Sequence, residues 1–178
     1  ESFPQIKVTV TNAPTPETVE HLQNGKIDFG VISTPFQNKH DFKVIPVKSI
    51  QDIFVAGRRF EHLKGGRLSY KELENLPVMC LEGTTSTRNY VEEYLAERGT
   101  KIEPEFELAT SDMLIQFAVR NLGVASVVRD FAKEHLASGE LFELKFDKEL
   151  PERQICIIYN SRSPMSSAAE RLLELLKI

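Results

Sequence analysis

Short apolar runs alternate with amphipathic, well-capped stretches along the whole chain. "IKVTV" (6–10) predicts a strand and "TPETVEHLQN" (15–24) a helix. In that helix Thr15 offers an N-cap hydroxyl, Pro16 suits the first helical position, Glu17 complements the dipole, and Gly25 fits the exit. "FGVI" (29–32) predicts a strand that "STPF" breaks, and "IQDIFVAG" (50–57) predicts another. "SYKELENLP" (69–77) predicts a short helix with a capping box between Ser69 and Glu72, stopped by Pro77. "VMCL" (78–81) returns to strand.

The alternation then repeats. "GTTSTRNYVEEYLAERG" (83–99) predicts a hydroxyl-rich loop entering a helix, with Tyr90, Val91, Tyr94 and Leu95 as its apolar stripe and Gly99 at its end. "EFELA" (105–109) alternates as a half-buried strand does. "TSDMLIQFAVRNLG" (110–123) predicts a helix capped by Thr110 or Ser111. "VASVV" (124–128) predicts a strand, "RDFAKEHLASG" (129–139) a helix ending at Gly139, and "RQICIIYN" (153–160) a strand. "SPMSSAAERLLELLKI" (163–178) predicts a last helix with Ser163 as N-cap and Pro164 in the first turn.

Strands alternating with helices imply an α/β fold, with parallel sheets covered by helices. Runs without polar alternation, such as "FGVI" and "VASVV", suit strands buried on both faces. In such sheets ligands bind beyond the carboxyl ends of the strands. The loops there are "TNAPT", "ISTP", "LEGTTST" and "LATSD", and all but "ISTP" lead into a helix N-terminus. Helix N-termini rich in Thr and Ser form an anion pocket without Lys or Arg. The competing reading is that each hydroxyl is only a cap. "GTTST" lacks the glycine spacing and lysine of a phosphate loop, and "RNLG" is no dinucleotide fingerprint.

Composition narrows the classes. The 178 residues are 41% hydrophobic and 27% charged, with a net charge of -4, which suits a sizeable core in one domain or two small ones. Lys and Arg do not cluster on one predicted face, so there is no electrostatic footprint for nucleic acid. No apolar run is long enough to span a bilayer, and no signal peptide opens the sequence. Opening at Glu1 just ahead of a strand has the look of a fragment. Cys80 and Cys156 lie in apolar strand runs and read as buried small hydrophobes. The histidines have no metal-ligand spacing, no nucleophile is paired with a base, and Glu82 is the only acid beside the strand-end loops. Neither metal, cofactor nor enzymatic activity is expected.

A spaced set of segments resembles the effector-binding domain of LysR-type transcriptional regulators. "FPQIKVTV" resembles the family's opening strand, and "ETVEHLQNGKIDFGVI" its helix, glycine and acidic-strand pattern, with Leu22, Gly25 and Asp28 in register. "PVMCLEGTTSTR" resembles the start of the second subdomain, including Arg88. "ATSDMLIQFAVRNLGVASVV" and "LASGELFEL" resemble its later helix, strand entry and return. Asn121 stands where many members have the first Gly of "GLG", and Val128 where many have Pro. Peroxide-sensing members need a reactive cysteine in the loop where this chain has Ser86, so a thiol sensor is not expected.

The resemblance implies two Rossmann-like subdomains joined by two crossovers, like type 2 periplasmic binding proteins. Residues 1–77 and 151–178 would form the first and 78–150 the second. A small effector, a carboxylate or an inorganic anion, would sit in the cleft. The resemblance puts Thr15 on one wall, with Thr84, Thr85, Ser86, Thr87, Thr110 and Ser111 on the facing one. Pro14 and Ser33, in the strand-end loops "TNAPT" and "ISTP", complete the candidate set. The family's longer proteins are cytoplasmic dimers or tetramers that touch DNA through an N-terminal winged helix-turn-helix not in this sequence. A homodimer would use the helix at 15–24, the strand after it, and the partner's helix at 111–121, where Ile115 and Val119 lie off the main apolar stripe. A periplasmic-type small-solute receptor is the alternative on the same fold.

Overall fold

The computed structural model describes residues 5–38, 42–162 and 165–175. The first half of the chain runs α1 (Thr15–Gln23), β1 (Gly30–Ser33), β2 (Lys43–Ile50), β3 (Asp52–Ala56), β4 (Arg67–Leu68), β5 (Val78–Leu81) and α2 (Ser86–Ala96). Then come β6 (Phe106–Leu108), α3 (Ser111–Val119), β7 (Val124–Val128), α4 (Lys133–Ser138), β8 (Phe142–Glu143), β9 (Lys145–Phe146), β10 (Arg153–Tyr159) and α5 (Ser167–Leu175). Three short 3-10 segments, Arg58–Leu63, Tyr70–Asn75 and Arg129–Ala132, fill connections. Ser163 and Pro164, expected to start the last helix, lie outside the described residues.

Contacts divide the chain into two compact units, Glu1–Lys48 with Gln154–Ile178, and Ser49–Arg153. Residues 49–77, expected with the first subdomain, contact the second unit, because β3 pairs with both β7 and β8.

In the second unit a five-stranded sheet runs in the order β6-β5-β7-β3-β8. β5 is parallel to β6 and β7, whereas β3 is antiparallel to β7 and β8, so the sheet is mixed rather than parallel throughout. Both faces are covered. Phe54, Ala56, Val78, Cys80 and Val124 point to one side with Val91, Tyr94 and Leu95 of α2. Ile53, Val55, Met79, Ala125 and Val127 point to the other with Leu114, Ile115 and Ala118 of α3. The period of two along β3 sends alternate residues into different cores, which is why neither β3 nor β7 shows polar alternation.

In the first unit the sheet order is β1-β10-β2, with β1 antiparallel to β10. Leu22 of α1 joins Ile32, Phe42, Cys156 and Ile158 in a small core. A Cβ at Gly30 would come within 2.6 Å of Thr18 Cγ2, so glycine there lets α1 lie close on β1. The expected strand at 6–10 does not form. Val8 and Val10 are 62% and 86% exposed, and the segment lines a cavity of about 1010 Å³ with α1, β1 and α5. Alternating residues make a strand only when a ladder partner is present.

Other expectations shift in detail. The capping contact holds, with the Ser69 N–H donating to Glu72 Oε2 at 2.7 Å, but the segment it starts is 3-10 rather than α. The stretch at 129–139 splits into a 3-10 turn and α4, ending at Gly139 with φ +77°. Ile115 is 3% exposed in the unit's own core, with Val119 packed against that core. Neither residue therefore supports a dimer face on α3.

Candidate functional site

The second unit brings two helix N-termini together. β5 and β6 are parallel neighbours ending at Leu81 and Leu108, so the loops that follow leave the sheet side by side. The Glu82 N–H donates to the Leu108 carbonyl at 3.1 Å and ties those loops. One loop enters α2 and the other α3.

Thr85 is the N-cap of α2. Its Oγ1 accepts the Arg88 N–H at 3.1 Å and donates to the Glu82 carbonyl at 3.0 Å, so both capacities are committed. Thr110 caps α3 by accepting the Met113 N–H at 3.3 Å, which decides between the two expected caps. Ser86 and Ser111 begin the two helices and are half-buried, while Thr84 is exposed. Thr87 Oγ1 accepts from Arg153 Nη2 at 3.3 Å. The first turn of each helix presents N–H groups that its own ladder does not use, and with them the positive end of the dipole.

Arg88 is buried and braces this edge. Its Nη1 donates to the Leu81 carbonyl at 3.1 Å, and its Nη2 lies 2.6 Å from Glu92 Oε1 and 3.6 Å from Glu107 Oε1. A second buried arginine lies at the same edge, in a pair that no sequence motif marks. Arg153, at the start of β10, donates from Nε and Nη2 to the two carboxylate oxygens of Asp52, at the start of β3, and both side chains are 1% exposed. No local pattern joins residues 101 positions apart. Asp52 faces Val128 at the carboxyl end of β7, so this pair stands at the same edge as the two helix N-termini.

In the first unit the N-cap of α1 is Pro14, not Thr15, and no side chain caps the helix. Pro14 holds extended backbone, φ -57° and ψ 156°, and puts Thr15 at the first helical position with Pro16 following it. Ser33 ends β1 opposite Ile155. Beyond it, Thr34 and Gln154 exchange two hydrogen bonds of 2.9 Å.

Burial pushes the Cys80 thiol up to about 11, against a smaller downward pull from Arg88. Cys156 is raised by the same cause. Both thiols are buried and protonated near neutral pH. Among the described residues no group of three or more His, Cys, Asp and Glu is placed to hold a metal, and no helix is long and apolar enough to cross a membrane.

The geometry shows two compact α/β units, the second with two helix N-termini gathered at strand ends. Residues 1–177 match the family model "LysR substrate binding domain", and the chain belongs to that family. It is 23% identical to the HTH-type transcriptional activator CmpR of Synechocystis, over 99% of this chain and 58% of CmpR. It is 20% identical to the hydrogen peroxide-inducible genes activator of Haemophilus influenzae, over 96% and 56%. The chain thus spans just over half the length of these curated relatives. Its fold matches the Synechocystis CcmR regulatory domain, solved in complex with 2-PG, with a TM-score of 0.86 at 17% identity over 98% of this chain and 84% of that one. It also matches the effector-binding domain of QuiR, solved with shikimate, with a TM-score of 0.81 at 14% identity over 99% and 82%. The type 2 periplasmic-binding-protein-like fold and the family expected from the sequence therefore hold.

Proposed function

We propose that this domain binds a small anionic effector, a carboxylate or an inorganic anion. The α2 and α3 N-termini would hold it through Thr84–Thr87, Thr110 and Ser111, while Pro14, Thr15 and Ser33 are the first unit's own candidate contacts. The observation that carries the reading is the pair of adjoining helix N-termini joined by the Glu82 N–H to Leu108 carbonyl bond. Amide donors and dipole ends concentrated at one edge attract negative charge without a dedicated cation. The QuiR domain's ligand, shikimate, is a carboxylate, which supports the class.

Binding would trade water for fixed N–H and O–H donors. It would shift the domain's conformation only by the effector's differential affinity for its states. The shift would pass to a DNA-binding domain elsewhere in a longer protein, acting as a cytoplasmic homodimer. Glu1–Lys48 with Gln154–Ile178, and Ser49–Arg153, would be the parts that move, rather than the expected 1–77 with 151–178 and 78–150, because β3 belongs to the sheet of the second unit. This domain alone would not bind DNA specifically, in keeping with its net charge of -4.

A thermal-shift panel of small carboxylates, phosphates and uncharged analogues, followed by calorimetry, tests the reading. An effector at 100 times its Kd adds roughly 2.7 kcal/mol of stability. Thr15→Val and Ser86→Ala should each weaken its binding on the order of 10- to 100-fold, the worth of a hydrogen bond to a charged group. Wild-type affinity in both variants, or stabilisation by uncharged analogues alone, would overturn the assignment.

A further inference from the structure

The chain passes between its two units twice, at Lys48–Ser49 and at Arg153–Gln154. Just inside the second unit the two passages are bonded to each other. Ser49 Oγ donates to Glu152 Oε2 at 2.5 Å. Gln51 Nε2 donates to the Leu150 carbonyl at 2.9 Å and to Glu149 Oε2 at 3.2 Å. The buried Asp52–Arg153 pair completes the set.

The return passage is also strapped to α2. Thr87, Tyr90 and Tyr94 stand at i, i+3 and i+7 and share one helix face. Thr87 Oγ1 accepts from Arg153 Nη2 at 3.3 Å, the Tyr90 hydroxyl donates to the Pro151 carbonyl at 2.9 Å, and the Tyr94 hydroxyl donates to the Glu149 carbonyl at 2.9 Å. The Tyr90 ring centroid also lies 5.0 Å from Arg153 Cζ. Thr87 thus ties the first turn of α2, and Tyr90 and Tyr94 the turns after it, to residues 149–153, and Arg153 links them to Asp52 at the head of β3.

We propose that Arg153 is a positioning residue. Held by Asp52, it ties the first turn of α2 to both chain passages, so that anion binding at that helix N-terminus and the conformation of the passages are coupled through Thr87. The guanidinium suits this task because its planar fork engages both carboxylate oxygens and still presents Nη2 to Thr87. A lysine ammonium can pair with Asp52 but cannot hold both partners in that geometry. Only the ligand arm of the test rests on the function proposed above.

Amide hydrogen exchange is compared in wild type, Arg153→Lys, Thr87→Val and the double variant. Each single variant should speed exchange about tenfold at the amides of Arg88–Tyr90 and of Asp52 and Ile53, leaving Leu114–Ala118 of α3 unchanged. The double variant should be no worse than the worse single, since both break one link. Faster exchange spread evenly into α3, or additive effects, would overturn the coupling. Thr87→Val keeps the test open if Arg153→Lys does not fold, because it leaves the Arg153–Asp52 pair intact. In the ligand arm, shikimate, 2-PG and inorganic phosphate are titrated calorimetrically. Arg153→Lys should weaken whichever binds wild type by about fivefold or more, within the usual range of coupling between sites. Equal affinity would overturn the coupling to the anion. If none binds wild type, the anion reading falls, while the exchange arm still decides the role of Arg153.

Discussion

Arg153 and Asp52 form a bidentate pair, Nε to Oδ2 at 2.5 Å and Nη2 to Oδ1 at 2.8 Å, with both side chains out of water. Removing one partner leaves a buried charge without its counterpart. Asp52→Asn should therefore cost about 3–5 kcal/mol in urea unfolding, whereas the apolar double replacement Asp52→Leu with Arg153→Met should recover most of that loss. A single variant losing no more than an exposed ion pair does, roughly 1 kcal/mol or less, would show that the pair is open to solvent.

Cys80 supplies a pH test. Its thiol rises from an ordinary 9.0 to about 11 through burial in β5. The folded state keeps this proton over a range in which the unfolded chain releases it. The stability it contributes is thus complete below about pH 9 and is lost as pH rises through about 11. Unfolding free energies of wild type and Cys80→Ala, measured from pH 8 to 11, should converge by about 2 kcal/mol, the larger part of the worth of a two-unit shift. A pH-independent gap would mean that the thiol is hydrated in the folded state.

The expected strands and helices were legible wherever burial alone fixes them. "VASVV" and the core of "IQDIFVAG" became fully buried strands, and the hydroxyls ahead of α2 and α3 became caps. What sequence pattern missed depends on partners distant along the chain. β2 (Lys43–Ile50) holds Val44, Ile45, Val47 and Ile50, but Pro46 interrupts the run and only Ile50 is buried, so it does not read as a core strand. "IKVTV" has that signature and no ladder. The direction of β3 follows from its pairing with β7, which no spacing encodes. The Asp52–Arg153 pair is likewise long-range, although Thr87, Tyr90 and Tyr94 already stood at helical spacing. Tyr90 and Tyr94 read as apolar stripe and Thr87 as a strand-end hydroxyl, so the bonds they make to residues 149–153 have no local signal.

Asn121 explains one departure from the family pattern. It has φ +62°, the left-handed region that glycine occupies without cost, and its Oδ1 accepts the Arg59 N–H at 2.8 Å. Asn121→Gly should keep the backbone and lose the bond from the Arg59 N–H and the longer one, 3.4 Å, that Nδ2 donates to the Val119 carbonyl, costing about 1 kcal/mol. Asn121→Val should cost more, on the order of 1–3 kcal/mol, because a β-branched residue is strained there. Equal melting temperatures for the two variants would contradict this account.

Caps and ligand contacts separate at α2 and α3. Thr85→Ala and Thr110→Ala should each lower apo stability by about 0.5–2 kcal/mol. Thr85→Ala should stand at the higher end, because its hydroxyl both donates and accepts. Thr84 is exposed, so Thr84→Ala should leave apo stability within about 0.5 kcal/mol. Chemical denaturation of the ligand-free variants measures all of these.

The central claim is that a small anion binds at the adjoining N-termini of α2 and α3. It is tested most directly by following backbone amide resonances while shikimate, 2-PG, inorganic phosphate and an uncharged analogue are titrated into the wild-type domain. The account predicts saturable shifts for at least one anion, largest at Ser86–Arg88 and Ser111–Met113, and none for the uncharged analogue. Shifts centred elsewhere, or no saturable response to any anion at these amides, would contradict it.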